Sequence, residues 1–144
     1  RIVCLAIGYV FGLFQTAFMY GKMHGIDIRE HGSGNAGTTN ALRTLGKKAA
    51  ILTFLGDALK GLIPVLLAKY LVQKSGLSID ASLLALVTGL FVVLGHNFPF
   101  YLKFRGGKGI ATTAGTLIGI DIRLFLVAAI VFLICFGITR FWNL

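Results

Sequence analysis

The 144-residue sequence has few acidic residues, few cysteines and few prolines. Five Asp and Glu stand against 14 Lys and Arg, which disfavours carboxylate-rich metal sites and hydrolysis by paired carboxylates. Cys4 and Cys135 lie far apart, each inside an apolar run, and they form no CxxC motif. We therefore expect buried thiols rather than metal ligands or a disulfide.

Charge of either sign is also scarce, because charged residues make up 13% of the chain, against about 25% in an average protein. Hydrophobic residues make up 56%, and the mean hydropathy is +0.85. These values exclude a soluble enzyme, a disordered tail and a secreted disulfide scaffold, and they predict a membrane protein. The net charge of +9 would suit nucleic acid, but the long apolar runs favour basic loops on the cytoplasmic side of a membrane, with no nucleic acid partner.

The apolar runs predict the fold, since a bilayer core about 30 Å thick needs roughly 20 apolar residues in a helix. The last third allows either one long helix from Gly109 with two buried charges, or a short half-helix that turns near Asp121–Arg123 before a further span. We favour the turn, because burying Asp or Arg at mid-bilayer costs about 2.5–3.5 kcal/mol each. The prediction is an all-α, polytopic helical bundle with five membrane segments: Ile2–Gly21, Ala49 to about Val72, Ala81–Leu102, Gly109–Ile120 and Leu124–Thr139.

A polar loop from Lys22 to about Lys48 holds the first candidate site. Its GxGxxG spacing fails as a dinucleotide fingerprint, because no strand precedes it and no acid follows about 20 residues later. Glycines of this kind let backbone N–H groups converge on an anion, and neutral donors and one guanidinium stand among them. A flexible surface loop remains the alternative. The candidate residues are Ser33, Gly34, Asn35, Gly37, Thr39, Asn40 and Arg43.

Asp57 and Lys60 form the second candidate, inside the second span. Residues three apart on a helix can pair, and the pairing lowers the cost of each charge near a bilayer. Ionisable residues within a membrane are functional candidates. A structural pair that only orients the helix remains equally open.

The third candidate joins the end of the third span to the loop that follows. Pro99 ends or kinks the span near His96 and Asn97. Gly106, Gly107, Lys108 and Gly109 then precede a short apolar helix, whose N-terminus suits phosphate. No Walker A motif is present, so nucleotide hydrolysis is disfavoured.

Three basic, glycine-rich pieces on one membrane face thus converge on phosphate recognition. Together they resemble the acyl-phosphate:glycerol-3-phosphate acyltransferase family of bacteria. The motif SGNxGxTNxxR of that family is similar to residues 33–43, DxxKG matches Asp57–Gly61, and GHxxPxxxxFxGGKG matches Gly95–Gly109. The His-x4-Asp arrangement of acyl-CoA-dependent acyltransferases is missing, which argues against that second enzyme class.

The resemblance implies a multi-pass enzyme of the bacterial cytoplasmic (inner) membrane. It implies transfer of a fatty acyl group from acyl phosphate to the 1-hydroxyl of glycerol 3-phosphate, with neither metal nor nucleotide cofactor. The implied partners are both substrates, membrane lipids and the phosphate acyltransferase that makes acyl phosphate. Ser33 and Arg43 belong to the motif tied to activity, and Gly106–Gly109 to the motif tied to glycerol phosphate.

We expect Ser33 and Arg43 to position the acyl-phosphate carbonyl, Lys108 and the Gly106–Gly109 amides to hold glycerol 3-phosphate, and His96 to assist by hydrogen bonding. Members of the family typically have seven spans. We therefore expect residues 1–144 to be a single membrane acyltransferase domain that lacks its N-terminal start and its last two spans. A non-enzymatic membrane protein that binds or transports phosphate or lipid phosphate is the alternative.

Overall fold

The computed structural model describes residues 2–139, and within that range the backbone forms helices and connecting loops without a β-strand. Two short 3-10 turns, Ile28–Glu30 and Phe100–Leu102, lie in the loops. The all-α prediction is therefore confirmed. The helices are α1 (Ile2–Gly12), α2 (Thr16–Met23), α3 (Thr38–Leu45), α4 (Lys47–Ser75), α5 (Ala81–Asn97), α6 (Ile110–Ile120) and α7 (Ile122–Thr139).

Four segments of the described range are long and apolar enough to cross a membrane. They are Ile2–Met23, Lys47–Ser75, Ala81–Leu102 and Ile122–Thr139, and α6 is a shorter apolar helix. These helices coincide with the five segments predicted from the sequence, and four of them are long enough to span a bilayer.

The first segment is not the uninterrupted helix that its apolar run predicts. The helix stops at Gly12 and resumes at Thr16, which frees the carbonyl groups of two residues between them. The Leu13 carbonyl accepts from the Tyr101 hydroxyl at 2.6 Å, and the Phe14 carbonyl accepts from Lys60 Nζ at 2.5 Å. The break persists because side chains from α4 and from the loop after α5 replace the helical hydrogen bonds.

Close helix contacts are made at glycines. A Cβ on Gly12 of α1 would lie 2.1 Å from the Val92 carbonyl oxygen of α5. Where α4 packs against α6, a Cβ on Gly61 of α4 would lie 2.3 Å from the Thr112 carbonyl oxygen of α6. A Cβ on Gly115 of α6 would lie 1.9 Å from the Ala58 carbonyl oxygen of α4. Small residues that let backbones approach are a general device of membrane helices, because lipid supplies no hydrophobic drive for association.

The last third contains the predicted half-helix. α6 ends at Ile120, Asp121 is extended, and α7 begins at Ile122. Asp121 and Arg123 form an exposed ion pair at 2.7 Å, which keeps both charges at the turn instead of inside one long helix. Lys69 of α4 donates to the Ile120 carbonyl at 2.5 Å and so satisfies the C-terminus of α6.

α7 packs chiefly against α6, and none of its described residues is buried.

The expectation that both cysteine thiols are buried is wrong. Both thiols are free as predicted, but Cys4 is partly exposed and Cys135 is exposed. Cys135 is uncovered because it lies on α7.

Candidate functional site

The loop before α3 owes its shape to Asn40. Its Nδ2 donates to the carbonyl groups of Ile28, His31 and Asn35 at 3.0–3.2 Å, and its Oδ1 accepts from the Ser33 amide at 3.0 Å. With 1% of its surface exposed, Asn40 is enclosed by the loop that it holds. Its predicted substrate contact stays a prediction, and the observed contacts are with the loop backbone.

Gly32 and Gly34 turn this loop with φ angles of +56° and +76°. A Cβ on Gly32 would also lie 2.2 Å from Asn40 Oδ1, so a side chain there is excluded by both conformation and space. The loop ends at Gly37, which caps α3, and Arg43 follows in the last turn of that helix. Ser33, Asn35, Thr39 and Arg43 are thereby directed to one side.

Asp57 and Lys60 form the predicted pair, at 3.1 Å between Asp57 Oδ1 and Lys60 Nζ. Their side chains are only 3% and 4% exposed. Lys60 also donates to the Phe14 carbonyl and lies 2.6 Å from His96 Nδ1. The pair therefore connects the break in the first span to the histidine at the end of α5.

His96 is 2% exposed and is held at its backbone as well. Its carbonyl oxygen accepts from Gln15 Nε2 at 2.9 Å and from the Gly107 amide at 3.2 Å. A Cβ on Gly107 would lie 2.4 Å from His96 Nε2, so the glycine backbone passes directly over that edge of the ring. This close approach explains why a glycine stands there.

The glycine loop, Gly106–Gly109, uses two of its amides to close the end of α5. The Gly106 amide donates to the Asn97 carbonyl at 3.0 Å, and the Gly107 amide donates to His96. This corrects the expectation that all the amides of the glycine loop face phosphate, because these two are engaged with α5. Gly109, with φ +81°, starts α6 and lies against Asn97.

These elements enclose a cavity of about 270 Å³, here named the polar cavity. Arg43 and Lys108 supply its cations, and hydroxyl and amide side chains supply neutral donors. Its lining residues are Ser33, Asn35, Gly37, Thr38, Thr39, Arg43, Phe54, Asp57, His96, Lys108, Gly109, Ile110, Ala111 and Phe132.

A second cavity of about 450 Å³, here named the apolar groove, continues from the first between α6 and α7. Phe54, Lys108, Gly109, Ile110 and Phe132 line both. The rest of the groove is formed by apolar side chains, with one threonine: Thr113, Ala114, Leu117, Phe125, Ala128, Ala129 and Leu133. A cationic cavity joined to an apolar groove fits a molecule with an anionic head and a hydrocarbon chain.

The structure thus places most of the predicted site residues in the lining of the polar cavity, and the others do not line it. The predicted residues that line the polar cavity are Ser33, Asn35, Gly37, Thr39, Arg43, Asp57, His96, Lys108 and Gly109. Those that do not line it are Gly34, Asn40, Lys60, Asn97, Gly106 and Gly107. The latter group shapes the loops or orients His96, by the contacts given above.

The sequence prediction missed the apolar walls and the supports of the site. Phe54 lies three residues before Asp57, and that helical spacing is the one signal that would have placed it on the cavity face. Phe132 and Gln15 carry no such signal, because Phe132 lies on α7 and Gln15 in the break of the first span, each far along the chain from the residues that it contacts.

A further contact missed from the sequence joins the two loops near the site. Arg29 donates to both carboxylate oxygens of Asp27, at 2.7 and 3.0 Å, and to the Leu102 carbonyl at 3.0 Å. The hydrogen bonds from the Arg29 side chain lower the pKa of Asp27 from 3.8 to about 2, against the opposing effect of burial.

The sequence matches one protein family and is similar to named relatives in it. The family described as "Glycerol-3-phosphate acyltransferase" matches residues 2–144. A protein of that name from Clostridioides difficile (strain 630) is 42% identical over 144 residues, covering 99% of this chain and 70% of the relative. One from Alkaliphilus metalliredigens (strain QYMF) is 52% identical over 116 residues, covering 80% of this chain and 55% of the relative.

The chain is also similar to two crystal structures of PlsY (YgiH), an integral membrane glycerol 3-phosphate acyltransferase. The glycerol 3-phosphate form superposes with a TM-score of 0.78 and the lysophosphatidic acid form with 0.75. Each is 38% identical and covers 94% of this chain, whereas this chain covers 64% of the solved one. The chain therefore spans slightly more than half to about two thirds of the length of these proteins.

Proposed function

Because the chain belongs to the glycerol-3-phosphate acyltransferase family, we propose that it transfers a fatty acyl group from acyl phosphate to the 1-hydroxyl of glycerol 3-phosphate. The products are lysophosphatidic acid and phosphate. The observation that carries this proposal is the junction of the cationic polar cavity with the apolar groove. That junction suits two substrates that share a phosphate, one of which also carries a long hydrocarbon chain.

The polar cavity binds the phosphate groups. Arg43 and Lys108 offset the charge of a phosphate dianion, and Ser33, Asn35 and Thr39 add neutral donors around it. A fixed set of donors in a cavity sheltered from water binds charge more strongly than the same donors in solvent.

The apolar groove holds the acyl chain, with Leu117 on α6 and Phe125 and Leu133 on α7 as its walls. Because Phe132 and Ile110 line both cavities, the acyl carbonyl is placed at the junction when the chain lies in the groove. The reacting carbon is then next to the polar side chains, and water is displaced by the hydrocarbon.

The reaction needs one attack and one departure. The 1-hydroxyl oxygen bonds to the carbonyl carbon, the bond from that carbon to the phosphate oxygen breaks, and phosphate leaves with its electron pair. The leaving phosphate accepts the hydroxyl proton, so no strong protein base is required. Ser33 and His96 donate hydrogen bonds to the carbonyl oxygen as negative charge develops there.

The protein lies in the bacterial cytoplasmic membrane with its motif loops on the cytoplasmic side. Lys22, Arg29, Arg43, Lys103 and Arg105 lie in or beside those loops, in agreement with the excess of basic residues on that side of membranes. Glycerol 3-phosphate arrives from the cytoplasm. The acyl phosphate is supplied by the phosphate acyltransferase that makes it.

Membranes containing the chain, incubated with labelled glycerol 3-phosphate, test this proposal. Palmitoyl phosphate should give labelled lysophosphatidic acid, and palmitoyl-CoA should give none. Membranes without the chain are the blank. Product from palmitoyl-CoA would contradict the choice of donor, and absence of product with both donors would contradict acyl transfer by this chain.

A further inference from the structure

Lys60 is surrounded by three acceptors in the part of the chain that the structure describes. Its Nζ lies 2.5 Å from the Phe14 carbonyl oxygen, 2.6 Å from His96 Nδ1 and 3.1 Å from Asp57 Oδ1. A lysine ammonium has three N–H donors and no acceptor. Two of these contacts are hydrogen bonds, to Phe14 and His96, and the third is an ion pair in which Asp57 offsets the charge of the ammonium.

The contact with Lys60, whose ammonium form is paired with Asp57, determines where His96 carries its proton. Since the ammonium only donates, Nδ1 of the imidazole accepts with its lone pair. The neutral ring then carries its proton on Nε2. That nitrogen is on the edge of the ring beside Gly107, and His96 lines the polar cavity.

We propose that Lys60 is a positioning residue that holds His96 in the tautomer protonated on Nε2. Asp57 supplies the negative charge that compensates the buried ammonium. The catalytic consequence rests on the acyl transfer proposed above: His96 presents a hydrogen-bond donor to the reacting group. In this tautomer Nε2 is protonated and the lone pair of Nδ1 accepts from Lys60, so the ring does not act as the base for the glycerol 3-phosphate hydroxyl.

The opposite arrangement is disfavoured by the surroundings of the pair. A neutral Lys60 amine accepting from an Nδ1–H group would leave the buried Asp57 carboxylate without its cation. A buried charge that loses its partner costs several kcal/mol. The separation of 3.1 Å between Asp57 Oδ1 and Lys60 Nζ is that of an ion pair, which requires the ammonium form.

Nitrogen NMR of the chain in lipid bilayers tests the tautomer directly. The chain has three histidines, so uniform ¹⁵N-histidine labelling gives few signals, and His96→Gln identifies those of His96. We expect an unprotonated Nδ1 that accepts a hydrogen bond and a protonated Nε2. A ring protonated on Nδ1, or on both nitrogens, would overturn the proposal. The wild-type spectrum, assigned with the help of His96→Gln, decides the tautomer.

Lys60→Met tests whether Lys60 holds His96 in the tautomer protonated on Nε2. Methionine keeps an unbranched stem and removes the donors, so the Nδ1 signal should shift and a population protonated on Nδ1 should appear. Asp57→Asn/Lys60→Met gives the same test without an unpaired buried carboxylate. Lys69→Met is the matched control, because Lys69 lies on the same helix and donates to Ile120 instead. An unchanged Nδ1 signal in both Lys60 variants would overturn the proposal.

Kinetic measurements distinguish a Lys60 that positions His96 from a Lys60 that only stabilises the fold. Lys60→Met should lower kcat at least about tenfold, with KM for glycerol 3-phosphate within about twofold of wild type, because the lost donation acts on the developing charge. Equal loss of stability and activity in the Lys60 and Lys69 variants would contradict positioning. If the chain has no transferase activity, the proposed function fails, but the NMR result still decides the tautomer.

Discussion

Gly12 of α1 and Gly95 of α5 face each other where the two helices cross. A Cβ on Gly12 would lie 2.9 Å from the Gly95 Cα, and one on Gly95 would lie 3.0 Å from the Gly12 Cα and 2.3 Å from the Tyr9 carbonyl oxygen. The obstacles are backbone atoms, which cannot turn aside as a side chain can. The crossing is therefore held at a separation that only glycine allows, one residue before His96.

Gly95→Ala should destabilise the protein by about 1–3 kcal/mol, because the added methyl group forces α1 and α5 apart. Thermal unfolding in detergent measures the change. Gly137→Ala on α7 is the control, since a Cβ there meets nothing within 4 Å. Equal unfolding temperatures for the two variants would contradict the close crossing.

Lys108→Ala should raise KM for glycerol 3-phosphate by about ten- to a hundredfold, the effect of losing a charge-assisted contact to phosphate. Initial rates at varied glycerol 3-phosphate measure it. Lys48→Ala, at the exposed start of α4, removes the same charge away from the polar cavity and should change KM little. An unchanged KM in Lys108→Ala would exclude this role for Lys108.

Ala129→Phe should shorten the preferred acyl chain, because Ala129 lines the apolar groove and a larger side chain fills part of it. We expect kcat/KM for palmitoyl phosphate to fall about tenfold relative to octanoyl phosphate. Val127→Phe adds a ring on the same helix at an exposed position outside the groove and serves as the control. A parallel loss with both donors would argue against the groove as the acyl site.

The ion pair of Asp27 and Arg29 should make stability depend on acid pH. Because the folded pKa of Asp27 is lowered from 3.8 to about 2, the pair stabilises the fold above about pH 4. This stabilisation, about 1 kcal/mol after solvent screening, is lost as the pH falls from about 4 to 2. The difference in unfolding temperature between wild type and Asp27→Asn should be constant near neutrality and disappear in that interval. A constant difference down to pH 2 would exclude the pair as its source.

The fold was largely predictable because membrane insertion depends on local composition. The lengths of the apolar runs predicted the membrane spans. The free-energy cost of burying Asp121 and Arg123 in a bilayer predicted the turn between α6 and α7. The break after Gly12 was not predictable, since its freed carbonyls are satisfied by Lys60 and Tyr101, which lie far away in the sequence.

Site residues that belong to a local sequence motif were predictable. Site residues that are brought to the cavity only by tertiary packing were not. Ser33, Arg43 and Lys108 stand in dense clusters of glycines and donors, so local pattern places them in the polar cavity. Asn40 has the same side-chain chemistry as Asn35, but the fold turns Asn40 into the loop and Asn35 to the cavity. Residue type alone does not separate those two positions.

The break in the first span has a consequence for how the protein is assembled during synthesis. The first span enters the bilayer before α4 and α5 exist, so the carbonyls of Leu13 and Phe14 then lack Tyr101 and Lys60. An unsatisfied carbonyl in hydrocarbon costs several kcal/mol, which favours an unbroken helix at that stage. We therefore expect the nascent span to be a continuous helix that opens at residues 13–15 when the later helices dock. Opening of the first span and formation of the contact between Lys60 and the Phe14 carbonyl are then one event.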